Sequence, residues 1–261
     1  MNEKFWQLRA AAANYVDAQR QKTRITNRLK AHERRGHVEP ALNGQLDAAE
    51  AQKKEMERVM TAMYKALAPA AIVRFQEETI GLGPSLVAQL VGYLGDFITY
   101  TEAWWEDAPE DSDEKRVLVT GAEVRCGVRD IWAYAGMGDA GRRRRRGGTQ
   151  EEQFEAGSPS VKRVAYLLAD FALRQNGKPD KNGKERPATP YYPYYVRWKE
   201  EITAAHEDWT PLHCHNHALR KVAKAILKDI WRVQHNYPPA YGARTPWTPR
   251  QSREERTAAR A

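Results

Sequence analysis

Cysteine is scarce: Cys126 and Cys214 are the only two in 261 residues, far apart and without a framework of paired spacings. That excludes a small disulfide scaffold and points to a reducing compartment. No run of about 18 apolar residues occurs, so no segment reads as a membrane span. The amino-terminal stretch MNEKFWQLRAAAANYVDAQRQK lacks the apolar core of a signal peptide, and the expected location is the cytoplasm. A G-x-S-x-G elbow, a P-loop, an H-E-x-x-H helix and a recognisable triad are all missing. The carboxylates Asp96, Asp130, Asp139, Asp170 and Asp229 are scattered, and their spacing selects no Mg²⁺ site.

Positive charge and large rings are what the chain has in quantity. Lys plus Arg number 42 against 34 Asp plus Glu, a formal charge of +8, which favours a polyanionic partner. Eight Trp and twelve Tyr are many for a hydrophilic chain. Bases stack on such rings, and rings are equally ordinary core material.

The periodicity is helical. Phe5, Leu8, Ala12 and Tyr15 recur at three and four, and Ile25 and Leu29 resume the pattern, predicting a helix over 3–35. Its outer face is basic, with Arg20, Lys22, Arg24, Arg28, Lys30, Arg34 and Arg35. Gly36 suits the end of that helix and Pro40 the start of the next. Leu42, Leu46, Ala49, Met56, Met60, Met63 and Leu67 form a heptad seam that only Lys53 breaches. The two helices make an antiparallel hairpin over 1–70, pairing with itself or with a second chain. Further helices are expected near 69–78, 85–94, 127–137, 149 onward, 160–174, 194–209 and 216–235. Residues 102–114 carry seven acids and no base and read as a solvated loop, with KRVLVT a short strand. From Pro238 onward little is left to bury, and a flexible basic tail over 238–261 is expected. The fold class is mostly α: the hairpin, then a compact helical domain over 71–237.

Local motifs concentrate on phosphate chemistry. Gly81-Leu82-Gly83-Pro84, opening a helix at Ser85, has the form of a helix-hairpin-helix turn. Two glycines permit a tight turn and Pro84 suits the first helical position. The amides of Gly81, Gly83 and Ser85 would face a phosphate oxygen, with the helix dipole behind them. Arg142, Arg143, Arg144, Arg145 and Arg146 lie between Gly141 and Gly147-Gly148. The run is a solvated loop or, since arginine pairs with phosphate in bidentate fashion, a nucleic-acid contact. Thr149 and Glu152 fit a capping box. His213, Cys214, His215 and His217 are close in sequence, but no second cluster completes a metal site; Asn216 or His215 is expected to cap the helix starting there. That helix lines up Arg220, Lys221, Lys224 and Lys228 along one stripe.

In order, these pieces resemble the DEDD-type insertion-sequence transposases related to the Piv invertase, also described as bridge-RNA-guided recombinases. Four stretches carry the resemblance: GLGPSLVAQLVGYLGD, IWAYAGM, AGSPSVKRVAYLLADFAL (with Lys162 and Arg163) and NHALRKVAKAILKDIW. It covers roughly residues 3–236, the hairpin corresponding to the family's coiled coil. It implies DNA as partner, structured RNA as a further one, and a role in transposition or recombination. There are two departures. The family's RuvC-like domain, which holds the metal-binding acids, precedes its coiled coil, whereas this sequence opens on the coiled coil. The family also keeps a catalytic serine after the AYAGL segment. Here that stretch reads GDAGRRRRRGGTQEE, whose only hydroxyl is Thr149, a weak candidate nucleophile. The leading expectation is therefore a DNA-binding protein without complete catalytic apparatus and without a cofactor of its own. One alternative is an active recombinase completed by a separate RuvC-like chain that brings Mg²⁺. The other is an interaction protein that forms a homo-oligomer through the Leu42–Leu67 seam.

Overall fold

The computed structural model describes residues 3–37, 40–95, 97–107, 116–138, 148–174, 176, 179, 183 and 188–242. It is mostly helical, as the periodicity predicts. Helix α1 runs Glu3–Glu33 and α2 runs Pro40–Leu67. The pair folds back on itself through a turn closed at Gly36, whose φ is +72°. The seam faces α1 of the same chain: Leu42, Ala49 and Met60 are buried, and Leu46, Met56, Met63 and Leu67 are half-buried. Lys53, the breach in the heptad pattern, lies with its ammonium 5.6 Å from the centroid of the Tyr15 ring and pairs with Glu57 at 3.5 Å. A cation is tolerated there because its stem packs while its head has both a ring and a carboxylate.

Helices α3 (Ala70–Glu78) and α4 (Pro84–Leu94) follow, joined by the Thr79–Gly83 turn. Strands β1 (Thr99–Asp107) and β2 (Arg116–Arg125) form an antiparallel hairpin with an irregularity between Thr101 and Ala103. This corrects the expectation of a solvated loop starting at residue 102. β-branched and aromatic residues in TYTEAWW favour extended pairing, and Glu106 on this strand is exposed. The predicted strand KRVLVT lies at the start of β2.

Helices α5 (Val128–Tyr134), α6 (Gln150–Glu155), α7 (Pro159–Arg174), α8 (Tyr192–Ala205) and α9 (Pro211–Gln234) complete the fold. α9 is the central element. Val222, Ala223, Ile226, Leu227 and Ile230 on it are fully buried. One continuous core runs from Phe5, Leu8 and Tyr15 on α1, through Leu90 on α4 and Leu168 on α7, to Ile230 on α9. The amino-terminal half of α1 is therefore part of the main core. Further out, Ala18, Ile25, Leu42 and Ala49 are buried outside that cluster, within the arm formed by α1 and α2. No helix among the described residues is long and apolar enough to cross a membrane.

Candidate nucleic-acid interface

The turn at Gly81 is built for packing as well as for direction. Its φ is +94°, and a Cβ there would lie 3.0 Å from the Cα of Ala172 on α7. Gly81 thus faces the interior, and the amide side chain of Gln76 holds the turn by donating to the Leu82 carbonyl at 3.0 Å. Gly83 is the N-cap of α4 and is exposed, with open space around it. The Ser85 hydroxyl donates to the Glu57 carboxylate at 2.5 Å, which ties α4 to α2 and places a negative charge beside that helix start. Of this trio, Gly83 is exposed, and Gly81 and Ser85 are half-buried.

Two of the resembling stretches meet in space. Gly136 ends the AYAG turn with φ +61°, and a Cβ on it would come within 2.6 Å of the Ala156 carbonyl oxygen. Gly157 has φ +73°, and its Cβ would come within 2.5 Å of the Ala133 carbonyl oxygen. Only glycine fits at both positions. The Ser158 amide then donates to the Tyr134 carbonyl at 2.6 Å. This glycine pair brings together the two ends of the sequence stretch that carries the arginines. Arg142, Arg143, Arg144, Arg145 and Arg146 themselves lie outside the described residues. At its far end the Thr149 hydroxyl accepts from the Glu152 amide at 3.2 Å, while Glu152 accepts from the Thr149 amide at 3.1 Å. The capping box is present, so the Thr149 hydroxyl is engaged as a helix cap. Lys162 and Arg163 are exposed on the first turns of α7, Lys162 close to the Gly136 turn.

Three of the acids weighed for metal binding, Asp130, Asp170 and Asp229, have hydrogen-bond or ion-pair partners within the chain. Asp130 accepts from the Gly127 amide at 2.7 Å, and Asp170 pairs with Arg174 at 2.8 Å. Asp229 is fully buried and accepts from the amides of Ala240, Tyr241 and Gly242 and from the Tyr191 hydroxyl. Asp96 and Asp139 lie outside the described residues. Burial pushes the Cys126 thiol up to about 11, the opposite of a reactive thiolate. The HCHNH stretch is already helical: α9 begins at Pro211, and Thr210, not Asn216 or His215, caps it by accepting from the His213 amide at 3.2 Å. His206 and His213 each stack on Trp209 with centroids 3.9 Å away, and His215 meets the Tyr195 hydroxyl at 2.7 Å. Among the described residues no group of three or more His, Cys, Asp or Glu is placed to hold a metal ion.

The α9 stripe is where cations gather. Arg220, Lys221, Lys224 and Lys228 are all half-buried along the outer side of α9. The Lys224 ammonium lies 4.1 Å from the Trp132 ring centroid, and the Trp132 indole N–H donates to the Lys224 carbonyl at 3.0 Å. Lys228 lies 5.4 Å from the Tyr241 centroid, and Lys221 pairs loosely with Glu201 at 3.9 Å. Burial, then the neighbouring Arg220 guanidinium, lowers the pKa of Lys224 below that of an ordinary lysine. Trp132, Trp198 and Tyr241 join Lys221, Lys224 and Lys228 around a cleft of about 180 Å³.

Sequence reasoning found the lysines and missed the rings. Trp132, Trp198 and Tyr241 are distant along the chain, and no spacing links them. Tyr241 belongs to the segment expected to be a flexible tail; that expectation is corrected for residues 240–242, which Asp229 fastens onto α9. A buried acid within an otherwise basic helix was the available signal, since such a group requires donors.

No protein-family model matches the chain, and neither a curated protein nor a solved structure matches it.

Proposed function

We propose that this protein binds nucleic acid, as a DNA-binding relative of insertion-sequence transposases that lacks a complete catalytic apparatus. The observation that carries this reading is the α9 face, where Lys221, Lys224 and Lys228 border a cleft walled by Trp132, Trp198 and Tyr241. Lysines along one helix neutralise successive phosphates, and rings among them accept bases. Lys224 is partly desolvated among like charges, so an incoming phosphate would relieve an unfavourable arrangement. The transposase part of the reading rests on the order of the four motif stretches. The α4 start at Gly83, Lys162, Arg163 and the arginine run would extend the contact along the backbone. The absence of a serine from the Gly136–Glu152 stretch argues for binding without strand transfer.

The test is binding of a labelled DNA duplex across a salt series, for the native chain and for Lys221→Gln/Lys224→Gln/Lys228→Gln. The native chain should bind with a steep log–log salt slope. The triple variant should bind more weakly, with a slope shallower by about 2–3, roughly one for each phosphate that is no longer neutralised. A variant as tight and as salt-sensitive as the native chain would remove this face from the interface. Metal-dependent nicking, or a covalent adduct with DNA, would instead favour an active recombinase.

A further inference from the structure

The cleft on α9 is more specific than a basic surface. Its volume of about 180 Å³ is below the roughly 300–1,000 Å³ of pockets that enclose cofactor-sized ligands. Its walls are side chains from separate elements: Trp132 on α5, Trp198 on α8, and Tyr241 on the segment after α9. Trp198 and Tyr241 meet edge-on, with centroids 5.8 Å apart, so they form a corner and not a closed stack. The cations stand along one border. Lys224 and Lys228 are one helical turn apart, a rise of about 6 Å, comparable with the separation of neighbouring phosphates on an extended strand. Bases within a duplex are stacked on one another and cannot enter such a corner, whereas an unpaired base can.

We propose that this cleft is a single-strand site: one unpaired base lies against Trp132, Trp198 and Tyr241 while its flanking phosphates sit on Lys221, Lys224 and Lys228. The proposal rests on the nucleic-acid reading above and narrows it to a strand conformation. Lys224 lies over the Trp132 ring. An arriving phosphate draws the ammonium to the border and leaves the ring face to the base. Asp229 acts from behind as a positioning residue, because its bonds to the amides of Ala240, Tyr241 and Gly242 hold the Tyr241 ring in place.

The experiment compares two fluorescein-labelled strands of equal length and phosphate count, oligothymidine and its abasic analogue, at one fixed salt concentration. The native chain should bind the thymidine strand at least about fivefold tighter, the lower end of one base–ring stack, with quenching of tryptophan emission. Tyr241→Leu should bring the affinity for thymidine down to that for the abasic strand, and Tyr241→Phe should retain the preference. Far-ultraviolet circular dichroism accompanies each variant, and the quenching by the native chain stands independently of them. Equal affinity for both strands with equal salt slopes would overturn the single-strand site and leave the electrostatic reading standing. Binding to neither strand, nor to duplex, would overturn both.

Discussion

Asp229 shows how one residue fastens a chain end. A buried carboxylate is costly unless its oxygens are filled, and here the amides of Ala240, Tyr241 and Gly242 and the Tyr191 hydroxyl fill them. Asp229→Asn keeps the shape but turns a donor toward donors. It should destabilise the fold by about 1–3 kcal/mol, read from urea denaturation, and should free residues 240–242 to proteolysis. A second residue-scale device is His217, half-buried, with no hydrogen-bond partner for its Nδ1 among the described residues. Burial first, then Lys221, Arg220, His206 and His213, lower its pKa. The folded state therefore binds this proton less readily than the unfolded state. Its contribution is intact above the unfolded value of about 6.5 and is lost as pH falls through the folded value. Thermal midpoints should drop as pH falls from about 7 through 6.5 and below, and His217→Gln should flatten that drop. An unchanged profile in the variant would assign the pH dependence to other groups.

At the scale of elements, the contact between the Gly136 and Gly157 turns ties the end of α5 to the start of α7. Both turns need positive φ, and both place the Cα where a side chain would strike a carbonyl. Gly157→Ala should cost about 1–3 kcal/mol in strain, with a further penalty as the Ser158–Tyr134 bond opens. The measured effect should be a lower denaturation midpoint at unchanged slope. The α1–α2 arm follows a different logic. Ala18, Ile25, Leu42 and Ala49 are small or sparse, and the outer face carries Arg20, Arg24, Arg28 and Lys30, all exposed. Thin burial and repelling charge place this arm at the low-stability end of the molecule. Amide exchange should be faster there than in α9.

For the whole molecule, a charge of +8 acts on encounter and not on fold. Replacing Arg142 to Arg146 with alanine removes five charges. Helix content should stay as it is, as read by circular dichroism. Binding to DNA should weaken and become less dependent on salt, as measured by anisotropy. Unchanged affinity would make the run a solvated loop. The single core from α1 to α9 has its own consequence at this scale: cutting the chain near residue 68 should expose Leu8, Tyr15 and Met60 and cost both parts their stability.

Helix positions, the hairpin, the capping box at Thr149 and the lysine stripe were legible in the sequence by itself. Each depends on spacing within one segment, and a helix brings residues three and four apart onto one face whatever surrounds it. Tertiary structure alone decided that Gly81 faces α7 and that Glu57 occupies Ser85. It alone decided that Asp229 holds residues 240–242, and that Trp132, Trp198 and Tyr241 share a cleft. These are meetings between segments far apart in the chain. Packing governs them, because it chooses among many partners of equal hydrophobicity by shape and leaves no periodic trace along the sequence.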